Sequence, residues 1–324
     1  MGCNMIDEDL SNCDSEYELN YELRLVTNIS TELTTQLQTN VNVSSALRTH
    51  LSSIFSDKAH DVDLSFYETA GDSLLLYHWS DTINASQTSY TLHLPMRQYM
   101  HLAVANVADN HVVDIQKDTT CHTSVLRQFA GDTIDSHTTG LFTARQGMEV
   151  LEGINQTFNV HLYMANCATA LVINTQGYAT AGPVNVYSTG FATGFNICDS
   201  VYQFTEQPPM VRTSSVTTGD SNELAFCSVT FPSREQPSTR MWIETEEPFI
   251  AQPGEEALWE FHVYVPQPDG TITKTILRIK EPLRAGQFKI IKAWLDEHGA
   301  IVPESPEIGT SVTLDWKEGL VIEN

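Results

Sequence analysis

Two residues in this sequence have neighbours that would make them chemically active, Cys3 behind Gly2 and Ser73 within Gly71-Asp72-Ser73-Leu74. A small residue immediately before a cysteine is the pattern at which a bacterial lipoprotein precursor is cut, after which the thiol and the new amino terminus are acylated. On that reading Cys3 is the lipidation site, and the polar, acidic run from Asn4 to Asn12 is a solvated tether. An ordinary buried or free cysteine is the alternative. For Ser73 to act as a nucleophile, a histidine must take its proton and an acidic group must orient that histidine. The Asp-x-x-His available, Asp57 to His60, precedes Ser73, and Asp296-Glu297-His298 has a different spacing. Gly219-Asp220-Ser221 repeats the tripeptide as plain turn chemistry.

The Gly-Asp-Ser-Leu block resembles the nucleophile block of the GDSL hydrolases, but the rest of that apparatus is missing, so an esterase is the weakest reading and no enzyme activity is expected. The 11 histidines form neither H-x-H nor H-E-x-x-H. His93, His101, His161 and His262 fall singly within strand patterns, as solvent-face or satisfied core residues do. Gly177, Gly182, Gly190 and Gly194 lack the spacing and the lysine of a phosphate loop. No metal and no cofactor is expected. Apart from Cys3 the cysteines are Cys13, Cys121, Cys167, Cys198 and Cys227, without a C-x-x-C pair. Cys227 reads as a small core residue, and one disulfide among the other four stays open as to its pairing. Asp-Ser/Thr-apolar triplets at Ser73, Thr82, Thr119 and Thr133 resemble the acceptor of Bacteroidetes O-glycosylation, and Asp/Ser/Thr-rich turns produce the same triplets unmodified.

Charge narrows the partners. Asp plus Glu number 41 against 17 Lys plus Arg, a net charge of -24, which repels nucleic acid and anionic headgroups alike. No run approaches the roughly 18 apolar residues of a spanning helix. Membrane attachment would therefore rest on the lipid at Cys3, where two or three acyl chains hold stably although one, at about 0.8 kcal/mol per CH₂, does not.

The elements that must position these groups are mostly strands. Tyr17, Leu19, Tyr21, Leu23 and Leu25 alternate with Glu18, Asn20, Glu22 and Arg24, a half-buried strand. Val43, Leu47, Leu51, Ile54 and Phe55 recur at helical spacing after Asn42 as N-cap, predicting one amphipathic helix that packs on a sheet. Short strand signals follow at 62–67, 73–79, 90–94, 100–107 and 141–144. A second series runs from Phe158 to Trp316, with the polar stretch from Arg212 to Glu223 read as an exposed excursion. Trp259 and Trp316 alternate in phase with core residues, so packing is favoured over sugar stacking. With 324 residues, two cores of roughly 150 residues each are expected, as residues 1–16 tether, 17–155 first domain with the helix, and 156–324 second domain, purely β.

Several segments then coincide: Gly2-Cys3, Asp9-Leu10-Ser11-Asn12-Cys13, Tyr17-Glu18-Leu19-Asn20-Tyr21, Leu25-Val26-Thr27-Asn28, Phe158-Asn159-Val160-His161-Leu162 and Val312-Thr313-Leu314-Asp315-Trp316. Together they resemble the FimB-type minor fimbrial subunits of Bacteroidales, the anchors of type V pili. The resemblance implies an all-β chain of two transthyretin-like, fimbrillin-like β-sandwich domains. It implies an acylated cysteine in the outer membrane, a cell-surface position at the base of a fimbrium, and a stalk pilin as partner. An anchor keeps its N-terminus to keep its lipid, so the strand beginning at Tyr17 is expected to stay in its own sheet. Strand exchange works by satisfying the unpaired N–H and C=O groups of a sheet edge. Val312, Leu314, Trp316, Leu320 and Ile322 are the candidate exchange segment, and an ordinary last strand is the alternative for 312–316. A surface glycan-binding or adhesive lipoprotein is the competing function.

Overall fold

The structure is a computed structural model that describes residues 16–26, 41–55, 59–69, 75–81, 89–117, 119–235 and 257–315. In chain order the first strands are β1 (Glu16–Val26), β2 (Val62–Glu68), β3 (Leu75–Asp81), β4 (Ser89–Pro95), β5 (Gln98–Ala105), β6 (Val113–Gln116), β7 (Val125–Gln128), β8 (Thr133–Asp135) and β9 (Phe142–Glu149). The helix α1 (Val41–Ile54) lies between β1 and β2. There follow β10 (Gln156–Met164), β11 (Cys167–Asn174), β12 (Asn185–Thr189), β13 (Gly194–Asn196), β14 (Val201–Gln203), β15 (Met210–Arg212), β16 (Ser214–Val216) and β17 (Glu223–Thr230). The last are β18 (Trp259–Pro266), β19 (Ile272–Ile279), β20 (Phe288–Leu295), β21 (Ile301–Pro303) and β22 (Gly309–Asp315). The all-β expectation with a single helix holds among the described residues.

Seven strands form the first sheet, in the order β3-β2-β5-β9-β10-β1-β4. Three strands separate β4 from β5, yet only Met96 and Arg97 connect them. Three Cα steps reach at most about 11 Å, whereas four strand spacings on a flat sheet need about 19 Å, so the sheet must curl. Its inner face carries Leu19, Tyr21, Leu23, Phe66, Tyr99, Phe142, Val160 and Leu162, all buried. The alternation that predicted β1 is borne by those residues, with Glu18, Asn20 and Arg24 exposed on the other face.

α1 closes the concave side. Val43, Leu47, Leu51 and Phe55 are buried in the same core as Ala168, Ala170 and Val172 of β11 and Ala225, Cys227 and Val229 of β17. The helix begins at Val41, so Asn42 sits inside its first turn and is not the N-cap expected from the sequence. Its last turn rests on Gly140, whose N–H donates to the Ile54 carbonyl at 2.9 Å. A Cβ at Gly140 would lie 2.7 Å from Phe55 Cδ1, so the approach requires glycine.

Beneath the helix lies a five-stranded sheet, β16-β17-β11-β20-β21, and behind it a six-stranded sheet, β22-β19-β18-β12-β15-β8. Their shared core holds Leu171, Ile173, Ile291, Trp259, Phe261, Val263, Leu277 and Ile279. β11 is covered on both faces, which is why Cys167-Ala168-Thr169-Ala170-Leu171-Val172-Ile173 is a near-continuous small and apolar run rather than an alternating one. The stretch read as an excursion is only partly loop: Arg212 ends β15, and β16 pairs with β17 through Ser214 and Cys227.

A four-stranded sheet, β14-β13-β7-β6, covers part of the convex face of the curled sheet. A disulfide joins Cys121 to Cys198 across it, with Cα atoms 5.7 Å apart. That resolves the open pairing, while Cys167 and Cys227 are buried free thiols. The chain does not change sheets cleanly at 155/156. β10, read as the start of the second half, lies between β9 and β1 and pairs with β1 in parallel, Leu19 opposite Gln156 through Val26 opposite Tyr163. Conversely β7 pairs with β13 and β8 with β15. Parallel, long-range pairing of this kind leaves no local sequence signature, because each strand keeps the alternation it would have anywhere.

Candidate functional site

β22 is the terminal strand of the six-stranded sheet and pairs antiparallel with β19, Gly309 opposite Arg278 through Asp315 opposite Ile272. Val312 stands opposite Thr275 and Leu314 opposite Thr273. Val312 is 49% exposed. These two are thus ladder residues of a last strand, the alternative the sequence left open for them. Trp316, Leu320 and Ile322 lie outside the described residues. The other edge of β22 has no strand partner among the described residues, so it presents the N–H and C=O groups to which a further strand could add.

A buried polar network fastens β22 to its neighbours. Glu260 and Arg278 are opposite each other on β18 and β19, and Arg278 Nε donates to Glu260 Oε1 at 3.2 Å. Glu260 Oε2 meets His262 Nε2 at 2.8 Å, and Arg278 Nη1 donates to Ser311 Oγ of β22 at 2.9 Å. All three ionisable side chains are buried. Charges so placed are tolerable only while paired, so they hold the register of the edge strand. In the sequence His262 is a single histidine of a strand pattern; Glu260, two positions away on the same face, is the one signal of its partner, and it gives no hint of Arg278.

The remaining sequence candidates disperse. Thr119 is exposed before the turn Cys121–Thr123, and Thr133 is exposed on β8, at the opposite edge of the sheet from β22. Cys3, Ser73 and Thr82 lie outside the described residues, as does Asp57, while His60 is exposed. His93 and His161 point to solvent from the convex face of the curled sheet. His101 is buried: its Nδ1 faces the Ser65 carbonyl at 3.1 Å, so it must carry the proton, and Nε2 then accepts from the Tyr21 hydroxyl. Burial lowers its pKa to about 4, and burial lowers that of His137 to about 3. Among the described residues one group, His122, Cys198 and Asp199, has ligand-like proximity. The Cys198 sulfur is committed to the disulfide and offers no thiolate there.

Where the four-stranded sheet does not reach, the convex face is polar and open. Glu18, Asn20 and Arg24 of β1 and Thr157, Asn159 and His161 of β10 are exposed there, and Tyr163 is 61% exposed at its end. An exposed aromatic ring beside polar side chains is the kind of feature on which a sugar can stack.

No family model matches the sequence, and no curated protein matches it. Solved structures do match. A candidate adhesin from Bacteroides ovatus is 12% identical with a TM-score of 0.54, over 94% of this chain and 99% of that one. A candidate polysaccharide-binding protein from Bacteroides thetaiotaomicron is 9% identical with a TM-score of 0.50, over 90% of this chain and 97% of that one. The fimbrial anchor protein Mfa2 from Porphyromonas gingivalis is also similar, at 9% identity and a TM-score of 0.49, over 92% and 98% of the two chains. The fold is therefore the all-β, fimbrillin-like architecture, matched over nearly the whole length.

Proposed function

We propose that this chain is a cell-surface fimbrial or adhesive subunit without enzyme activity, held to the outer membrane through an acylated Cys3 and joined to a stalk pilin by strand exchange along β22. The observation that carries the assembly reading is the sheet edge itself: β22 is locked to β19 on one side and has no strand partner on the other among the described residues. A strand added there would gain a ladder of hydrogen bonds along seven residues. The fold shared with the Bacteroides ovatus candidate adhesin supports a surface role. The Cys121–Cys198 disulfide supports export, because such bonds persist in oxidising compartments.

Because β22 belongs to a buried network, the assembly test removes only residues 316–324, which include Trp316, Leu320 and Ile322. Loss of co-purification with the stalk pilin is expected, and unchanged assembly would remove Trp316, Leu320 and Ile322 from the exchange segment. Separately, Cys3→Ala should release the protein from the outer membrane into the medium; retention at the surface would remove the lipid anchor. The open face with Tyr163 favours a second reading, glycan binding, in line with the polysaccharide-binding description of one structural neighbour. A glycan array on wild type and Tyr163→Ala distinguishes it, since an anchor needs no sugar.

A further inference from the structure

Seven large apolar side chains are markedly exposed among the described residues, and three of them, Met96, Leu151 and Ile154, share one end of the curled sheet. Their exposures are 53%, 40% and 55%. Met96 sits in the two-residue connection between β4 and β5, and the other two sit in the turn between β9 and β10. The two turns are in contact, because Val150 N–H donates to the Arg97 carbonyl at 2.9 Å. The second turn is held in shape by a single side chain: Gln156 Nε2 donates to the Glu149 carbonyl at 2.9 Å, and Gln156 Oε1 accepts from Leu151 N–H at 2.8 Å. Gly153, at φ +67, supplies the reversal between Leu151 and Ile154. A stiff tip therefore displays three apolar side chains to solvent, where singly scattered ones would need no explanation.

β1 begins at this same end, since Glu16 pairs with Pro95 and Leu19 with Gln156. Cys3 stands 13 positions before Glu16. Fully extended, that stretch reaches at most roughly 45 Å, so an acylated Cys3 would hold this end of the molecule toward the bilayer. We infer that the tip formed by Met96, Leu151 and Ile154 is a membrane-contact surface that rests in the interfacial region of the lipid to which the chain is tethered. The occupant is a lipid surface, because a tether joined at Glu16 would bring the bilayer first to this end. The surrounding acid, Glu16, Glu149 and Glu152, favours contact with zwitterionic over anionic lipid. This inference rests on the reading of Cys3 as the anchor, which supplies the direction.

The test replaces the native lipid by another tether, so that it does not depend on acylation. The full chain with Cys3→Ser and Cys13→Ser carries an N-terminal hexahistidine tag and is bound to phosphatidylcholine vesicles containing nickel-chelating lipid. A polarity-sensitive thiol probe is placed by Ile154→Cys, or by Ala108→Cys as a control in the exposed turn after β5, at the opposite end of that strand. Cys167 and Cys227 do not compete, being buried with thiol pKa values pushed up to about 12. The probe at 154 should shift to the blue and lose about twofold in intensity to spin-labelled lipid, as groups in the interfacial region do, with no change at 108. Adding Leu151→Asp and Met96→Asp should abolish the quenching at 154 while the protein stays bound. Equal behaviour of the two probes overturns the inference. So does a blue shift at 154 that grows with protein concentration without vesicles, which would assign the tip to a second copy of the chain. Failure of the Cys3→Ala release test would instead remove the anchor and leave these measurements standing.

Discussion

Acid should unfold this protein through two histidines that the fold keeps neutral. His101 and His137 are both fully buried, with pKa values lowered from 6.5 to about 4 and about 3 by desolvation. In the unfolded chain each takes up a proton near pH 6.5, whereas the native state does not until about pH 4 and about pH 3. The unfolded state thus binds more protons below pH 6.5, and stability present at neutral pH is lost as pH falls through the window down to the folded values. At 1.36 kcal/mol per pH unit, each histidine removes about 2 kcal/mol between pH 7 and pH 5, and together about 6 kcal/mol by pH 4. That is comparable with the whole stability of an ordinary domain, about 5–15 kcal/mol. Two effects oppose it: acid relieves the repulsion of a chain with net charge -24, and burial raises the Asp61 carboxyl pKa, which favours the protonated native form. The assay is therefore differential. Urea unfolding of wild type and His101→Gln at pH 7 and pH 5 should show wild type losing about 2 kcal/mol more than the variant over that interval. Identical losses would refute the argument that desolvation of His101 governs acid stability, whatever the absolute values.

Further outcomes are expected from other parts of the fold. Reducing the Cys121–Cys198 bond, which spans 77 positions, should lower stability by about 4 kcal/mol on the chain-entropy account, read as a drop in the thermal midpoint that Cys198→Ala reproduces. Gly190 has φ +105, and a Cβ there would lie 2.6 Å from Trp259 Cα, so Gly190→Ala should cost at least about 2 kcal/mol in denaturant unfolding. Arg278→Ala strips buried Glu260 of a partner and should cost about 3 kcal/mol, with hydrogen exchange in β22 accelerating first. The double variant Arg278→Met with Glu260→Leu should recover most of that loss in the same unfolding assay.

The strands with strict alternation were legible, as was the helix, because burying one face imposes a period that needs no knowledge of the partner. β1, β10 and β18 all show it. Short strands such as β6, β7, β8, β13 and β16 were missed: three or four residues cannot establish a period, and they exist because neighbours supply their ladders. The start of α1 was misplaced by reading Asn42 as its cap. The disulfide was bounded to four cysteines but not assigned, since the pair is joined by sheet packing across the chain rather than by spacing. At the candidate edge, Val312 and Leu314 were found as an apolar pair, but the Glu260–Arg278–Ser311 network that fastens their strand depends on a cross-strand register invisible in one sequence.

The interleaving of β1 and β10 has a mechanical meaning. β1 runs parallel to β10 over eight facing pairs and antiparallel to β4 over seven, and its first residue stands at the end where the proposed tether would join it. A pull on the chain ahead of Glu16 would therefore draw β1 lengthwise between two neighbours. In that geometry the bonds of both ladders are loaded in shear and must yield together, whereas a hairpin pulled from its open end peels one bond at a time. Since β10 is joined directly to β11 at the centre of the next sheet, tension entering at Glu16 passes sideways into the body of the molecule instead of unravelling its first strand.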